Sequence, residues 1–327
     1  EGGAGSDTLD GGTGNDSLEG GDGADTYLFG RGFGQDTVYD YDQGSGGNDI
    51  VRFAADILPA EVELSRDESN LFLKVLGTED RITVSGFYAD PAQRVERVEF
   101  ADGTVWDQAA LDQAKYMGTE GSDFIAGTDS AEWFETGAGD DYVSAMSGND
   151  VVYGGTGSDT LDGGAGNDTL YGEEGYDYLS GGAGVDTLGG GSGNDMLEGG
   201  EGADTYLFAR GFGQDTIYDY DQGSGGNDIV RFAADIQPAE VELSRNDSDL
   251  FLQMLGTGDQ ITVSGFYSDP TQRIERVEFA DGTVWASTTL LAAKFVGTDG
   301  ADYISGTTGS DRLEGRGGDD YLYGDAG

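Results

Sequence analysis

A strict period of nine residues runs without a gap from residue 119 to residue 208, in blocks such as GTGSDTLDG and GAGNDTLYG. Nine residues fit neither a helical turn nor a long strand, but they suit a short strand followed by a tight turn. A flexible glycine-rich linker would have no reason to hold acidic and apolar residues in phase over this length. The fifth position of each block is acidic, and an apolar or aromatic residue follows two positions later. The acids are Asp123, Glu132, Asp141, Asp150, Asp159, Asp168, Asp177, Asp186, Asp195 and Asp204.

Two such blocks make one coil of two strands and two turns, so turns on the same edge recur every 18 residues. Neighbouring coils lie about 4.8 Å apart, and carboxylates stacked at that spacing repel one another unless a cation lies between them. Carboxylate and carbonyl oxygens are the ligands that calcium prefers. The pattern therefore predicts bound Ca²⁺, about one ion for each turn that keeps all its glycines.

The turn glycines supply the second group of predicted ligands, because glycine takes positive φ without strain and brings its carbonyl close to an ion. Carbonyl ligands are predicted at Gly155, Gly157, Gly164, Gly166, Gly182, Gly184, Gly191 and Gly193. The complete turns end at Asp159, Asp168, Asp186, Asp195 and Asp204. Weaker sites are expected where Ser130 and Glu132, Ala145 and Met146, or Glu173 replace the consensus residues.

Related blocks occur outside this stretch, and their acids are also predicted metal ligands. Regular nines contribute Asp7, Asp16, Asp25, Asp302, Asp311 and Asp320. Turns with longer loops contribute Asp36, Asp49, Asp215 and Asp228. Asp40 and Asp42, in one of these longer loops, are either further ligands or solvated loop acids.

The pattern changes from residue 57 onward, where alternating segments such as EVELSR and LFLKVL indicate β-hairpins. A short helix, QAALDQAKY, is predicted behind Asp107 as its N-cap. The aromatic residues of this insert predict a small core, and a sugar-binding surface is the alternative. They are Phe72, Phe87, Tyr88, Phe100 and Trp106.

The whole pattern then repeats at an offset of 179 residues without insertion or deletion. We therefore predict an all-β fold, in which a right-handed parallel β-roll with two nines per coil alternates with small antiparallel β-inserts that carry a short helix. The predicted segments are roll 1–56, insert 57–117, roll 118–235, insert 236–296 and the start of a further roll at 297–327. The sequence begins and ends within repeats, which leads us to expect a segment of a longer protein.

The nonapeptide G-G-x-G-x-D-x-U-x resembles the calcium-binding repeat of the RTX family. GADTYLF, RGFGQDT, GGNDIVRF and ERVEFADGTVW, each present twice, resemble the domain that accompanies haemolysin-type calcium-binding repeats in large bacterial RTX proteins. The resemblance implies type I secretion from a Gram-negative bacterium, an extracellular or cell-surface location, and folding triggered by external calcium.

Charge and composition exclude several classes of partner and of chemistry. The net charge of −48 excludes nucleic acid and anionic membranes as partners. The chain has no histidine or cysteine for zinc, haem or histidine-based acid–base chemistry. No apolar run approaches the ~18 residues of a membrane-spanning helix.

No catalytic constellation is visible, so we expect this segment not to be an enzyme. The tandem duplication favours a calcium-hardened spacer, fibre or surface-layer element with a structural or adhesive role, because repetition of a unit provides length. Self-association or a covalent tandem array would then produce rods or fibres. The alternatives are the calcium-binding repeat region of a secreted enzyme or toxin, and a module that binds a ligand such as a glycan through the insert.

Overall fold

The structure is a computed structural model that describes residues 1–42, 47–220 and 226–326. Residues 43–46 and 221–225, which include the glycines of the two longer loops after Asp42 and Tyr220, lie outside the described residues. Contacts group the chain into two units, Glu1–Gly118 and Thr119–Gly327. Each unit is built mainly from parallel strands in two principal sheets.

The first unit contains short strands and one helical turn, α1 (Gln108–Leu111). Its strands are β1 (Gly3–Ala4), β2 (Thr8–Leu9), β3 (Ser17–Glu19), β4 (Gly21–Asp22), β5 (Thr26–Phe29), β6 (Gln35–Tyr39), β7 (Ile50–Phe53), β8 (Val62–Arg66), β9 (Leu71–Val75), β10 (Arg81–Val84), β11 (Arg97–Glu99), β12 (Val105–Asp107) and β13 (Lys115–Met117). Single 3₁₀ turns occur at Pro59–Glu61 and Pro91–Gln93. The two principal sheets have the orders β3-β6-β10-β9-β8-β13 and β12-β11-β7-β5-β2.

The second unit has the longer strands and the helical turn α2 (Ser287–Leu290). Its strands are β14 (Phe124–Ala126), β15 (Trp133–Glu135), β16 (Tyr142–Ser144), β17 (Val151–Gly157), β18 (Thr160–Ala165), β19 (Thr169–Gly175), β20 (Tyr178–Gly184), β21 (Thr187–Gly193), β22 (Met196–Gly202), β23 (Thr205–Phe208), β24 (Gln214–Tyr218), β25 (Ile229–Phe232), β26 (Val241–Arg245), β27 (Leu250–Met254), β28 (Gln260–Val263), β29 (Arg276–Phe279), β30 (Val284–Ala286), β31 (Lys294–Val296), β32 (Tyr303–Ser305), β33 (Leu313–Glu314) and β34 (Tyr321–Tyr323). Single 3₁₀ turns occur at Pro238–Glu240 and Pro270–Gln272.

The coil of two nines is confirmed by the strand register. Each strand pairs in parallel with the strand two blocks later, so that Thr160 faces Tyr178 and Tyr178 faces Met196. Alternate blocks therefore belong to opposite sheets, and the central apolar residue of each block points between them. These central residues are fully buried in the described structure: Val143, Val152, Leu161, Leu170, Leu179, Leu188 and Leu197.

The turns depend on glycine at positions where the chain of the next coil comes very close. Gly182 has φ +98°, and a Cβ built there would lie 2.1 Å from the carbonyl oxygen of Gly164. A side chain would therefore be strained by the backbone conformation and would also clash with the neighbouring turn. This close stacking brings the carbonyls of successive turns together along each edge of the roll.

The insert extends the two sheets of the roll. In the second unit, β28 pairs in parallel with β24, and β29 pairs in parallel with β25. The insert strands β26 and β27 then continue the first of these sheets in antiparallel fashion. The helix that we predicted over residues 108–116 is only one turn long, because Lys115–Met117 forms strand β13.

The aromatic residues of the insert share one core with the roll. In the first unit, Phe87 and Phe100 are buried in the same cluster as Leu9 and Leu18 of the roll, and Tyr88 and Trp106 pack against this cluster. Phe72 is half-buried instead, with the guanidinium carbon of Arg81 5.3 Å from its ring centroid. A core shared in this way ties the insert to the roll beside it.

The second insert is also hydrogen-bonded to the roll that follows it. Strand β31 pairs in parallel with β26 of the insert and with β33 of the next repeat. The Lys294 ammonium reinforces this junction, because it lies 2.7 Å from a Glu242 carboxylate oxygen and 2.8 Å from one of Glu314. Among the described residues of this unit, one sheet therefore passes from roll to insert to roll in the order β14-β16-β18-β20-β22-β24-β28-β27-β26-β31-β33.

Four residues with side chains in the described structure adopt a positive φ suited to glycine: Met146, Glu173, Arg316 and Asp325. Met146 and Glu173 have φ of +77° and +76°. A left-handed conformation costs a residue with a side chain roughly 1–2 kcal/mol, of which the greater unfolded-state freedom of glycine offsets about 0.5–1 kcal/mol. We expect Glu173→Gly to raise the free energy of unfolding by roughly 0.5–1 kcal/mol in calcium, as measured by urea denaturation.

The matched control is Glu174→Gly, which removes the same charge from an exposed neighbour whose φ is not positive. This control should lower the stability by roughly 0.5–1 kcal/mol, since it adds only backbone freedom. Equal shifts of the same sign in the two variants would show that charge, and not backbone strain, sets the effect.

Candidate calcium sites

The acids of the repeat form a hydrogen-bonded ladder along each edge of the roll. On one edge, the Asp141 amide donates to Asp159 Oδ1 at 2.9 Å, and the Asp159 amide donates to Asp177 Oδ1 at 2.8 Å. On the other edge, the Asp150 amide donates to Asp168 Oδ1 at 2.8 Å. One carboxylate oxygen of each aspartate is therefore fixed by the backbone of the preceding coil.

The second oxygen of these carboxylates is buried and accepts no hydrogen bond from the described residues. Buried polar atoms without a partner are rare in native proteins, and an ion is one of the few ways to satisfy them. The aspartates whose Oδ2 has this character are Asp7, Asp16, Asp25, Asp36, Asp40, Asp49, Asp141, Asp150, Asp159, Asp168, Asp177, Asp186, Asp195 and Asp215.

Backbone carbonyls lie beside these unpaired oxygens. A Cβ built on Gly154 would lie 2.4 Å from Asp159 Oδ2 and 3.0 Å from the carbonyl oxygen of Gly172. At Gly163 the corresponding distances are 2.6 Å to Asp168 Oδ2 and 2.8 Å to the carbonyl oxygen of Gly181. The turn thus gathers carboxylate and carbonyl oxygens around a space that no side chain fills, and this is a donor set for a hard cation such as Ca²⁺.

Burial makes ionisation of these carboxyls costly in the absence of a cation. Desolvation raises the pKa to about 6 for Asp159 and Asp195 and to about 7 for Asp150, Asp177 and Asp186. In the unfolded chain the aspartate pKa is about 3.9. The metal-free fold is therefore favoured by these groups at low pH, and it loses that contribution as the pH rises through 6 to 7.

The model of the RTX calcium-binding nonapeptide repeat matches residues 1–38, 117–152, 144–179, 153–188, 180–217 and 296–327, together more than half of the chain. The chain belongs to the RTX calcium-binding repeat family. The model of the haemolysin-type calcium binding protein related domain matches residues 70–110 and 249–289, which lie within the two inserts of this RTX chain. The repeats of this chain therefore bind calcium, and the buried oxygens of the aspartate ladder are the candidate ligands.

Three bacterial proteins are similar to parts of this RTX chain. The iron-regulated protein FrpA of Neisseria meningitidis serogroup C is 40% identical over 118 residues, which is 35% of this chain and 11% of FrpA. The extracellular lipase LipA of Serratia marcescens is 18% identical with a TM-score of 0.25, over 80% of this chain and 36% of LipA. The AlgE6R3 subunit of the Azotobacter vinelandii mannuronan C5-epimerase is 25% identical with a TM-score of 0.21, over 54% of this chain and 84% of that subunit.

In some predicted ligands, Oδ2 accepts a hydrogen bond from the protein. The Thr119 amide donates to Asp123 Oδ2 at 2.6 Å, and Thr298 and Thr307 make the same bond to Asp302 and Asp311. These turns begin with Gly-Thr where the complete turns begin with Gly-Gly. The threonine thus occupies the oxygen that is unpaired in the ladder aspartates, and we expect calcium to bind more weakly there.

The insert continues the carboxylate ladder with residues that the nonapeptide pattern does not mark. The Asp49 amide donates to Glu96 Oε2, and the Asp228 amide donates to Glu275 Oε2 at 2.8 Å. On the other edge, Asp80 accepts hydrogen bonds from the amides of Gly32 and Gly34. Glu96 and Glu275 thus stand where the next aspartate of the roll would stand, although no glycine-rich turn precedes them in the sequence. Asp80 does not, because Ile82 is the residue opposite Asp36 in the strand register.

Exposed and half-buried aromatic residues of the roll form short stacks. The rings of Phe124 and Tyr142 stack with centroids 4.8 Å apart, and Tyr153 and Tyr171 stack with centroids 5.1 Å apart. The aromatic residues of the insert mostly pack on the core, which confirms the small aromatic core predicted from the sequence. No helix within the described part of the chain is long and apolar enough to cross a membrane.

Replacing Asp168 tests the assignment of Oδ2 as a calcium ligand. Asp168→Asn keeps an acceptor for the Asp150 amide but puts a neutral amide nitrogen where the unpaired oxygen lies. We expect the folded chain to bind about one to two fewer ions, since each ion lies between successive turns, as counted by isothermal titration calorimetry.

Glu132→Gln is the matched control, because the Glu132 carboxylate already accepts bonds from the Thr128 amide and hydroxyl. The calcium count of this variant should equal that of the unmodified chain. Equal losses in the two variants would show that Oδ2 of Asp168 has no special role in binding.

Proposed function

We propose that this chain is a calcium-folded extracellular repeat segment that serves as a structural or adhesive spacer in a longer bacterial protein. The observation that carries the proposal is the continuous sheet of the second unit, in which the insert joins the roll before it to the roll after it. A spacer must transmit its geometry from one copy to the next, and a hydrogen-bonded sheet does this better than a flexible linker.

The rise of each copy follows from the order of that sheet. Nine strand-to-strand steps lead from β14 to β31, after which the next roll begins. At about 4.8 Å per step, one 179-residue copy adds roughly 43 Å along the direction of stacking. Identical copies would repeat the same increment, so that length grows in proportion to the number of copies.

Calcium gives such a spacer its rigidity and makes it conditional on the environment. With a net charge of −48, the metal-free chain repels itself and stays expanded. In a medium with millimolar calcium, Ca²⁺ ions bind in the turns and the repeat folds. This behaviour suits a chain that leaves the cell unfolded and acquires its structure outside, and we include such secretion in the proposal.

Chains with one, two and three copies of the 179-residue unit test the spacer function. Small-angle X-ray scattering in millimolar calcium should show a maximum dimension that grows by roughly 40 Å with each added copy. The radius of gyration of the cross-section should stay constant. A maximum dimension that grows only with the cube root of the mass would contradict the spacer, and it would favour a compact calcium-binding region attached to a secreted enzyme or toxin.

A further inference from the structure

The acidic ladder of the first unit continues across a lengthened coil between Asp25 and Asp49. The Asp25 amide donates to Asp49 Oδ1 across 24 residues, in place of the 18 residues of a regular coil. The longer connection brings a third carboxylate, that of Asp40, into the turn. Asp25, Asp40 and Asp49 are 0%, 1% and 1% exposed, and each offers a carboxylate oxygen within 4.8 Å of the others.

These three side chains also present unpaired oxygens. Oδ2 of each residue accepts no hydrogen bond within the described ranges 1–42, 47–220 and 226–326. Asp40 is held in place through its other oxygen, because the buried Tyr27 hydroxyl donates to Asp40 Oδ1 at 2.6 Å. Gly20 leaves the space open, since a Cβ there would lie 2.4 Å from Asp25 Oδ2 and 2.3 Å from the Tyr27 hydroxyl oxygen.

The second unit contains a corresponding cluster of three aspartates, with a tyrosine bonded to one of them. Asp204, Asp219 and Asp228 are buried and each offers a carboxylate oxygen within 4.8 Å of the others. The Tyr206 hydroxyl donates to Asp219 Oδ1 at 2.8 Å, as Tyr27 does to Asp40. Within the described residues, these are the two places where at least three acids converge this closely. The regular turns therefore offer an ion fewer carboxylates at such short range.

We propose that these two clusters are calcium sites of a distinct class, with higher affinity than the regular turns and with Asp40 and Asp219 as additional ligands. Affinity for calcium increases with the number of charged ligands and with the rigidity of the site. Here a third carboxylate is added, and a tyrosine hydroxyl in the core fixes its orientation.

The position of these sites gives them a further role in assembly. In the first cluster, Asp25 belongs to the regular roll, and the amide of Asp49 donates to Glu96 of the insert. An ion bound there holds the final coil of the roll in the geometry that the insert strands extend. The clusters therefore fill first as calcium rises, and they order the junction between roll and insert before the regular turns fill.

Calcium titration of the complete chain by isothermal titration calorimetry, with competition against a chelator, tests this proposal. The unmodified chain should bind two ions at least tenfold more tightly than the remaining ions. Asp40→Asn should leave one tight ion, and the double variant Asp40→Asn/Asp219→Asn should leave none. The control double variant Glu68→Gln/Asp247→Asn removes one exposed acid from each insert and should keep both tight ions.

The single variant keeps the test decisive if the double variant fails to fold, because the second copy remains intact. A single uniform class of ions in the unmodified chain would overturn the proposal, as would two tight ions in a folded Asp40→Asn variant. Terbium gives an independent readout, since the first two equivalents should be sensitised by the adjacent tyrosines. The Tyr27→Phe/Tyr206→Phe variant should therefore lose most of that early emission, and unchanged emission would contradict binding at these clusters.

Discussion

The structure depends on a row of buried carboxylate oxygens that no donor of the described chain satisfies. One oxygen of each ladder aspartate accepts the amide of the preceding coil, and the other faces backbone carbonyls in the turn. The hydrogen bond sets the stacking of the coils, and the unpaired oxygen makes this stacking unfavourable without a cation. Calcium thereby becomes part of the fold, and the stability of the roll depends on the calcium concentration around it.

The insert of the second unit makes one β-sheet continuous from the roll before it to the roll after it. A parallel roll ends in unpaired backbone groups that can recruit another strand. In the second unit the insert takes up both exposed edges, since β28 and β29 pair with the last two strands of the roll. The strand β31 then starts the following roll on the far side of the insert. The insert thus terminates one roll and provides the first pairing surface of the next.

The regular part of the fold was predictable because its signal is periodic. The nine-residue spacing of Asp159 and Asp168 places their turns on opposite edges, and this arrangement keeps the central leucines inside. The weaker calcium sites expected at the turns of Met146 and Glu173 stay a prediction, and the structure adds that both residues have a left-handed backbone.

The remaining features depend on contacts that periodicity does not report. The Thr119 amide donates a local hydrogen bond to Oδ2 of Asp123. In the sequence, only the threonine in place of the second glycine of the turn marks this difference. Glu96, just before β11, joins the ladder from a position 47 residues further along the chain, so only the three-dimensional path of the insert reveals it. From the sequence, Asp40 is either a further ligand or a solvated loop acid. The structure distinguishes it from a solvated acid, because the buried Tyr27 hydroxyl donates a hydrogen bond to it.

Far-UV circular dichroism at two pH values, in a calcium chelator and in calcium, is the most direct test of the central claim. At pH 7.5 the chelated chain should show little β-structure, and millimolar calcium should restore it. At pH 5 without calcium, part of the signal should return, because ladder carboxyls whose pKa is raised to about 6 or 7 take up protons and lose their repulsion. The same β-signal in chelator and in calcium at pH 7.5 would contradict the account, since the buried oxygens would then need no cation.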